Sequence, residues 1–300
     1  MRLLLIGRSG QLGWELMRSL APLGNVIAFD RRDADLSAPD RLPALIANAK
    51  PDVVVNAAAY TAVDKAESEV PLASTVNADA VGVLARAARD AGALFVHFST
   101  DYVFDGEKVG PYVESDEPLP LNAYGRSKLA GELAVEAAGG DWLVFRTSWI
   151  YAARGANFLQ TMLRLAHERE TLRVVADQQG APTAARMIAD LTAHAIRQSM
   201  GERTSGAFES GVFHMTASGS TSWFGFASRI IETLRSRRPG QVVTREIEPI
   251  AASEYAAAAA RPLNSLLDNS KLERRFGVFR PDWEVYLQLV LDEVLGTCHR

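Results

Sequence analysis

In the stretch Asn122–Glu132, NAYGRSKLAGE, Tyr124 and Lys128 stand at i and i+4. On a helix that spacing sets both side chains on one face, so a phenol and an ammonium can converge on one point. The phenol's reference pKa is near ~10, and a neighbouring ammonium favours the phenolate, so the pair suits proton exchange with a carbonyl oxygen. Alone, Tyr-x-x-x-Lys is a short pattern that any solvated helix can carry. A third polar group stands ready in HFSTDYVFDG, where Thr100 closes the apolar run Leu94–Phe98. Such a run reads as a buried parallel strand, and open parallel sheets bind ligands at the carboxyl ends of their strands.

The second feature is GRSGQLG, in which Gly7, Gly10 and Gly13 follow a G-x-x-G-x-x-G spacing directly after the run Leu3–Ile6. Glycines there let backbone approach a pyrophosphate, and the following helix N-terminus supplies free N–H groups and the positive end of its dipole. Asp30, closing the next apolar run Val26–Phe29, is placed to hold an adenosine ribose. A dinucleotide site therefore takes in Gly7, Arg8, Gly10, Gln11, Leu12 and Gly13 of the loop and first turn, then Asp30, Arg31, Asp35 and Leu36. The third run ends NAAAY, whose small residues Ala57 to Ala59 let the chain pass close to a cofactor. Asp30 favours NADH and repels a 2′-phosphate, whereas Arg8, Arg31 and Arg32 can turn the local field positive. The expectation is a preference for NADPH with NADH possible. Beside a nicotinamide, Thr100, Tyr124 and Lys128 make a proton-transfer apparatus.

These groups must be positioned by the elements between them. The runs Leu3–Ile6, Val26–Phe29, Val53–Val55, Leu94–Phe98 and Leu143–Phe145 alternate with helical stripes such as Leu12, Leu16 and Leu20. Repeated β-α units imply an α/β fold, a Rossmann-type doubly wound parallel sheet with right-handed crossovers. Residues 1–150 form the dinucleotide-binding domain, and a segment at about 182–217, with a helix from Thr183 and the strand-like GVFHMTAS, rejoins its sheet. The remainder, mainly 151–181 and 218–300, reads as a smaller substrate-binding cap ending in a helix striped by Leu287, Val290, Leu291, Val294 and Leu295.

Composition removes several function classes. The chain has 300 residues, is 48% hydrophobic and 23% charged, and carries a formal net charge of −4, so no broad basic surface invites nucleic acid or an anionic membrane. No apolar run approaches the ~18 residues of a membrane span. The opening MRLLLIG stops at a glycine loop, unlike a signal peptide, and the single cysteine, Cys298, allows no internal disulfide, so a cytoplasmic location is expected. His97, His167, His194, His214 and His299 show no metal-ligand spacing.

In order and spacing, the glycine loop, Asn56-Ala-Ala, Ser99-Thr100 and Tyr124-x-x-x-Lys128 resemble the extended short-chain dehydrogenase/reductases. AAAYTAVDKAESE, STDYVFDG, PLNAYGRSKLAGE, FRTSWIY, DQQGAPT and RPLNSLLD narrow the resemblance to the nucleotide-sugar reductases of that family. It implies reduction of the C4 keto group of dTDP-4-dehydro-6-deoxy-L-mannose to dTDP-L-rhamnose, with a dTDP-sugar as substrate and a homodimer as the assembly. By the same resemblance Tyr124 is the proton donor, Lys128 lowers its pKa and holds the nicotinamide ribose, and Thr100 hydrogen-bonds the C4 oxygen. Asp101 and Trp149 shape the sugar pocket, Ala59, Tyr60 and Thr61 line the cofactor, and Asn157, Gln179, Thr183 and Arg261 contact the nucleotide-sugar. Some relatives bridge subunits through a metal held by glutamates of three helices. This chain has Glu15 and Glu293 at comparable places but Arg186 in the middle helix, where a cation repels a divalent ion, so bound Mg²⁺ is doubtful.

Two rival readings follow. A dehydratase of this family needs Asp-Glu directly after the strand-end Thr, whereas here Asp101 is followed by Tyr102; an epimerase is less sharply separated. The other rival is a cofactor-binding regulatory subunit without turnover, against which an intact Thr100, Tyr124 and Lys128 argue.

Overall fold

Leu3 and Leu5 turn to one side of their strand, Leu4 and Ile6 to the other, and all four are completely buried. The same alternation repeats through Val53–Val55, Leu94–Phe98 and Leu143–Phe145. Strands covered on both faces have no reason to alternate in polarity, which is why the runs are apolar on both sides, with buried His97 the one exception among them. Each such side chain contributes about 1.5–3 kcal/mol through burial.

The computed structural model describes residues 1–296; Cys298 and His299 lie outside them. Its main sheet has six parallel strands, in the order Gly211–His214, Trp142–Thr147, Leu94–Thr100, Val53–Asn56, Arg2–Ile6 and Asn25–Phe29. On one face pack Leu12, Leu16 and Leu20 of the helix Gln11–Leu20 with Ile188 and Ile196 of the helix Ala185–Ser205. On the other pack Leu42 and Ile46, Val81 and Leu84, and Val135 from the helices Leu42–Ala49, Ala80–Asp90 and Ala123–Ala138. From Arg2–Ile6 the chain first goes to one neighbour, Asn25–Phe29, and then to the other, Val53–Asn56. Strand order therefore reverses there, and a crevice opens beyond the carboxyl ends of these two strands.

A separate core joins Tyr151, Leu159, Phe226, Ile230 and Trp283 with Leu287, Val290, Leu291 and Leu295 of the helix Trp283–Leu295. Beside this core the strand Thr171–Val175 pairs in parallel with Glu246–Ile250, outside the main sheet. No helix among the described residues is long and apolar enough to cross a membrane.

Candidate active site

Gly7 has φ +94°, and a Cβ there would lie 2.7 Å from the Ala58 nitrogen, so a glycine is needed both for the turn and for the close approach across the crevice. A Cβ at Gly13 would meet the Gly7 carbonyl at 2.0 Å, so this glycine lets helix and loop touch. At Gly10 the nearest atom to a Cβ is 3.4 Å away. The protein itself leaves that space, at the N-terminus of Gln11–Leu20, where a pyrophosphate would be cradled. The three glycines thus fit a dinucleotide.

A cleft of about 1000 Å³ runs from this cradle to Tyr124 and Lys128. Of the expected residues it brings together Gly7, Gly10, Gln11, Leu12, Asp30, Arg31, Asp35, Leu36, Ala59, Tyr60, Thr61, Thr100, Asp101, Tyr124, Lys128, Trp149 and Asn157. Gly13, Arg8, Gln179, Thr183 and Arg261 stand outside its lining. Arg8 reaches Asp30 from the rim, at 3.0 Å. Thr183 is wholly buried and its hydroxyl is spent on the fold, donating to the Ala181 carbonyl and accepting from the Ala217 N–H. Gln179 is exposed and its backbone pairs with Leu263 and Ser265. Arg261 is held by Asp64 at 2.7 Å, beside Tyr102. Asn157 caps its helix by accepting from the Gln160 N–H and donates to Gln11 at 2.9 Å, tying the cleft's two walls.

The segment NAYGRSKLAGE explains its own placement. Asn122 accepts from the Gly125 N–H at 2.7 Å and caps the helix, and Glu67 accepts from Ala123 at 2.7 Å. A Cβ at Gly125 would strike the Tyr102 carbonyl at 2.1 Å, and one at Gly131 the Asn77 carbonyl at 2.1 Å. Small residues on this helix thus press it onto the Thr100–Tyr102 turn, setting Tyr124 beside Thr100 at the cleft. Thr100 also donates to Asp101 at 3.0 Å.

Burial pushes the Tyr124 phenol well above its ordinary value; the neighbouring Thr100 hydroxyl opposes this and the Asp101 carboxylate adds to it. The ammonium is expected from the spacing to favour the phenolate, but in this geometry burial sets the direction and Lys128 is not among the groups that shift the phenol. Lys128 Nζ donates to the Phe98 carbonyl at 2.7 Å and lies 3.3 Å from His97 Nε2. Burial brings Lys128 down to about 8, with Glu132 opposing. Asn56 accepts from the Ala58 N–H through Oδ1, so its amide NH₂ faces His97 Nδ1, at 3.2 Å. His97 then accepts at Nδ1 and carries its proton on Nε2, toward Lys128, an arrangement that favours the neutral amine. Burial and the Lys128 charge hold His97 well below its ordinary pKa, hence uncharged. Burial also raises Asp101 to about 6, against hydrogen bonds from Ser265 and Thr100. The hydroxyls of Ser99, Thr147 and Ser148 line the same cleft and are buried without a protein partner.

Sequence reasoning missed three contributors. Asn77, fully buried, accepts from the Tyr60 N–H and donates to the Tyr60 carbonyl and to Ser127, fixing the backbone at the cofactor side. Tyr102 packs edge-on against Tyr124 at 5.7 Å. Trp223 stacks on Trp149, which has φ +47°, a conformation costing about 1–3 kcal/mol for such a residue. No local pattern marks Asn77 or Trp223, since their partners are distant in the chain. At the metal position suggested by resemblance, Arg186 pairs with both Glu15 and Glu293, filling the place between them with a guanidinium.

A family model described as the RmlD substrate binding domain matches residues 1–295. The chain is 57% identical to the dTDP-4-dehydrorhamnose reductase of Burkholderia thailandensis, over 99% of this chain and 100% of the relative. It is 45% identical to the enzyme of that name from Escherichia coli K12, over 99% of each. Among solved structures, the dTDP-4-dehydrorhamnose reductase of Bacillus anthracis in complex with NADP superposes with a TM-score of 0.87 at 34% identity, covering 97% of this chain and 99% of that one. With the glycine cradle and the Thr100–Tyr124–Lys128 group in place, the chain belongs to the RmlD family, that of the dTDP-4-dehydrorhamnose reductases within the extended short-chain dehydrogenase/reductases.

Proposed function

We propose that this protein reduces the C4 keto group of dTDP-4-dehydro-6-deoxy-L-mannose to give dTDP-L-rhamnose, with NADPH preferred and NADH accepted. The observation that carries the reading is the convergence of Thr100, Tyr124 and Lys128 at one end of a cleft whose other end is the glycine cradle.

A bound nicotinamide cofactor supplies the hydride for C4. Gly7, Gly10, Gln11 and Leu12 would hold its pyrophosphate, Asp30, Arg31 and Arg8 its adenosine ribose, Asp35 and Leu36 the adenine side, and Ala59, Tyr60, Thr61 and Lys128 the nicotinamide half. Tyr124, kept protonated by burial, gives its proton to the C4 oxygen as that oxygen gains charge. The Thr100 hydroxyl hydrogen-bonds the same oxygen. Lys128, with its pKa at about 8, carries its charge at neutral pH, so the phenolate that forms in the buried site is not an uncompensated anion. Asp101 and Trp149 shape the sugar pocket, and Asn157 meets the nucleotide-sugar; Gln179, Thr183 and Arg261 are assigned to supporting its wall. On this reading residues 1–150 with about 182–217 serve the cofactor, and 151–181 with 218–300 serve the substrate. A homodimer is the proposed assembly, with the exposed Trp14 and Met17 as candidates for burial in it, testable by sedimentation.

The test is NADPH oxidation with the 4-keto nucleotide-sugar, with the product identified by NMR. Stoichiometric formation of dTDP-L-rhamnose is expected. A C4 epimer without net NADPH oxidation, or cofactor binding without turnover, would replace the reading with one of its rivals.

A further inference from the structure

Trp149, two residues past the end of the strand Trp142–Thr147, has a left-handed conformation, φ +47°, and its indole forms part of the cleft wall. A bulky residue takes that conformation only where its surroundings over-determine it. Two features do so. Trp223 lies parallel to the Trp149 ring, with centroids 3.6 Å apart and planes 11° from parallel. Gly180 leaves the space the indole needs, since a Cβ there would stand 2.5 Å from Trp149 Cε2 and 2.7 Å from Cζ2. Both are held by one antiparallel ladder, in which Thr221 pairs with Gly180 and Ser222 with Gln179. Ser222 then caps the helix Trp223–Arg237 by accepting from the Gly225 N–H at 3.0 Å, so Trp223 begins that helix in a fixed orientation. Phe158 backs the Trp223 ring at 4.6 Å. The Trp149 carbonyl is tied as well, accepting from the Thr183 N–H at 3.1 Å.

We infer that Trp223 is a positioning residue for the sugar pocket: its indole, with the bare backbone at Gly180, fixes the plane of Trp149 and so sets how much of the binding energy the sugar contributes. The inference rests on the reductase reading, in which Trp149 faces the sugar. With Trp223 on one indole face and the Gly180 backbone on the other, Trp149 meets the cleft with its edge, and that edge holds one position against a hexose only if the indole is prevented from turning. Neither Trp223 nor Gly180 acts on the proton transfer, so both leave Tyr124 chemistry to the residues already described.

The experiment compares the affinity for dTDP-L-rhamnose with that for dTDP alone, whose ratio isolates the sugar's share, in wild type and in Trp223→Ala, Trp223→Phe and Gly180→Ala. NADPH affinity is measured alongside, and the exciton-coupled circular dichroism of the paired indoles reports the stack independently of any ligand. Trp223→Ala and Gly180→Ala should lower that ratio by roughly 10-fold or more, with dTDP and NADPH affinities unchanged. Trp223→Phe, which keeps a flat ring against Trp149, should restore the ratio, while it and Trp149→Phe each abolish the exciton band. A wild-type ratio in Trp223→Ala or Gly180→Ala, or an equal loss of dTDP, NADPH and sugar nucleotide that Phe does not rescue, would overturn the inference. Lack of NADPH-dependent turnover in the wild type would instead overturn the reductase reading, leaving the binding ratio to judge the clamp.

Discussion

Lys128, 2% exposed, donates from Nζ to the carbonyl oxygen of Phe98 at 2.7 Å. A buried ammonium held by one carbonyl, with the N–H of a neutral imidazole turned toward it, is under-solvated, which is why its pKa falls to about 8. The charge that would grip a ribose is therefore lost within the working range. kcat/KM for NADPH should fall on the alkaline side with an apparent pKa near 8. In Lys128→Met that limb should vanish and activity be low throughout. An alkaline limb unchanged in Lys128→Met would assign it to another group.

Asp101 gives a prediction about stability rather than turnover. Its folded pKa, about 6, lies above its ordinary 3.8, so the fold favours the protonated acid. The group's stabilising contribution is complete below 3.8 and is lost as pH rises through 6, a change on the order of 3 kcal/mol. Asp101→Asn should remove this part of the pH dependence and be the more stable form, relative to wild type, at pH 7.5 than at pH 4. Urea unfolding of both proteins at the two pH values measures it. A wild-type–variant difference independent of pH would contradict the assignment.

Cofactor preference turns on Arg8, which meets Asp30 at 3.0 Å with 44% of its side chain exposed. Such an exposed pair is worth only about 0–1 kcal/mol, so little opposes the guanidinium's engaging a 2′-phosphate instead. Arg8→Ala should lower kcat/KM for NADPH by roughly 10-fold, as expected for loss of a charge-assisted contact, while sparing NADH. Equal losses for both cofactors would place Arg8 on the loop or the pyrophosphate.

What the sequence made legible was what is local. The apolar runs appeared as strands because burial on both faces needs no alternation. Gly7 and Gly13 carry steric demands within one loop, and Tyr124 and Lys128 share a helix face by spacing alone. The departures have long-range causes. Thr183 and Arg261 lost their expected cleft positions to Ala217 and Asp64, partners far along the chain. The phenol's upward shift arises from burial by the whole fold, which no spacing encodes. Trp223 has no local signature, since its role depends on a ladder that brings it onto Trp149.

The central claim is that Tyr124 gives the proton to the sugar's C4 oxygen, and Tyr124→Phe tests it most directly because the buried ring is kept and only the hydroxyl is lost. Single-turnover oxidation of NADPH should be measured with cofactor and 4-keto nucleotide-sugar both saturating, after their affinities have been shown to be retained. A rate lowered by roughly 10²–10⁴ is expected, the usual worth of a general acid. A Tyr124→Phe rate equal to that of the wild type would contradict the account.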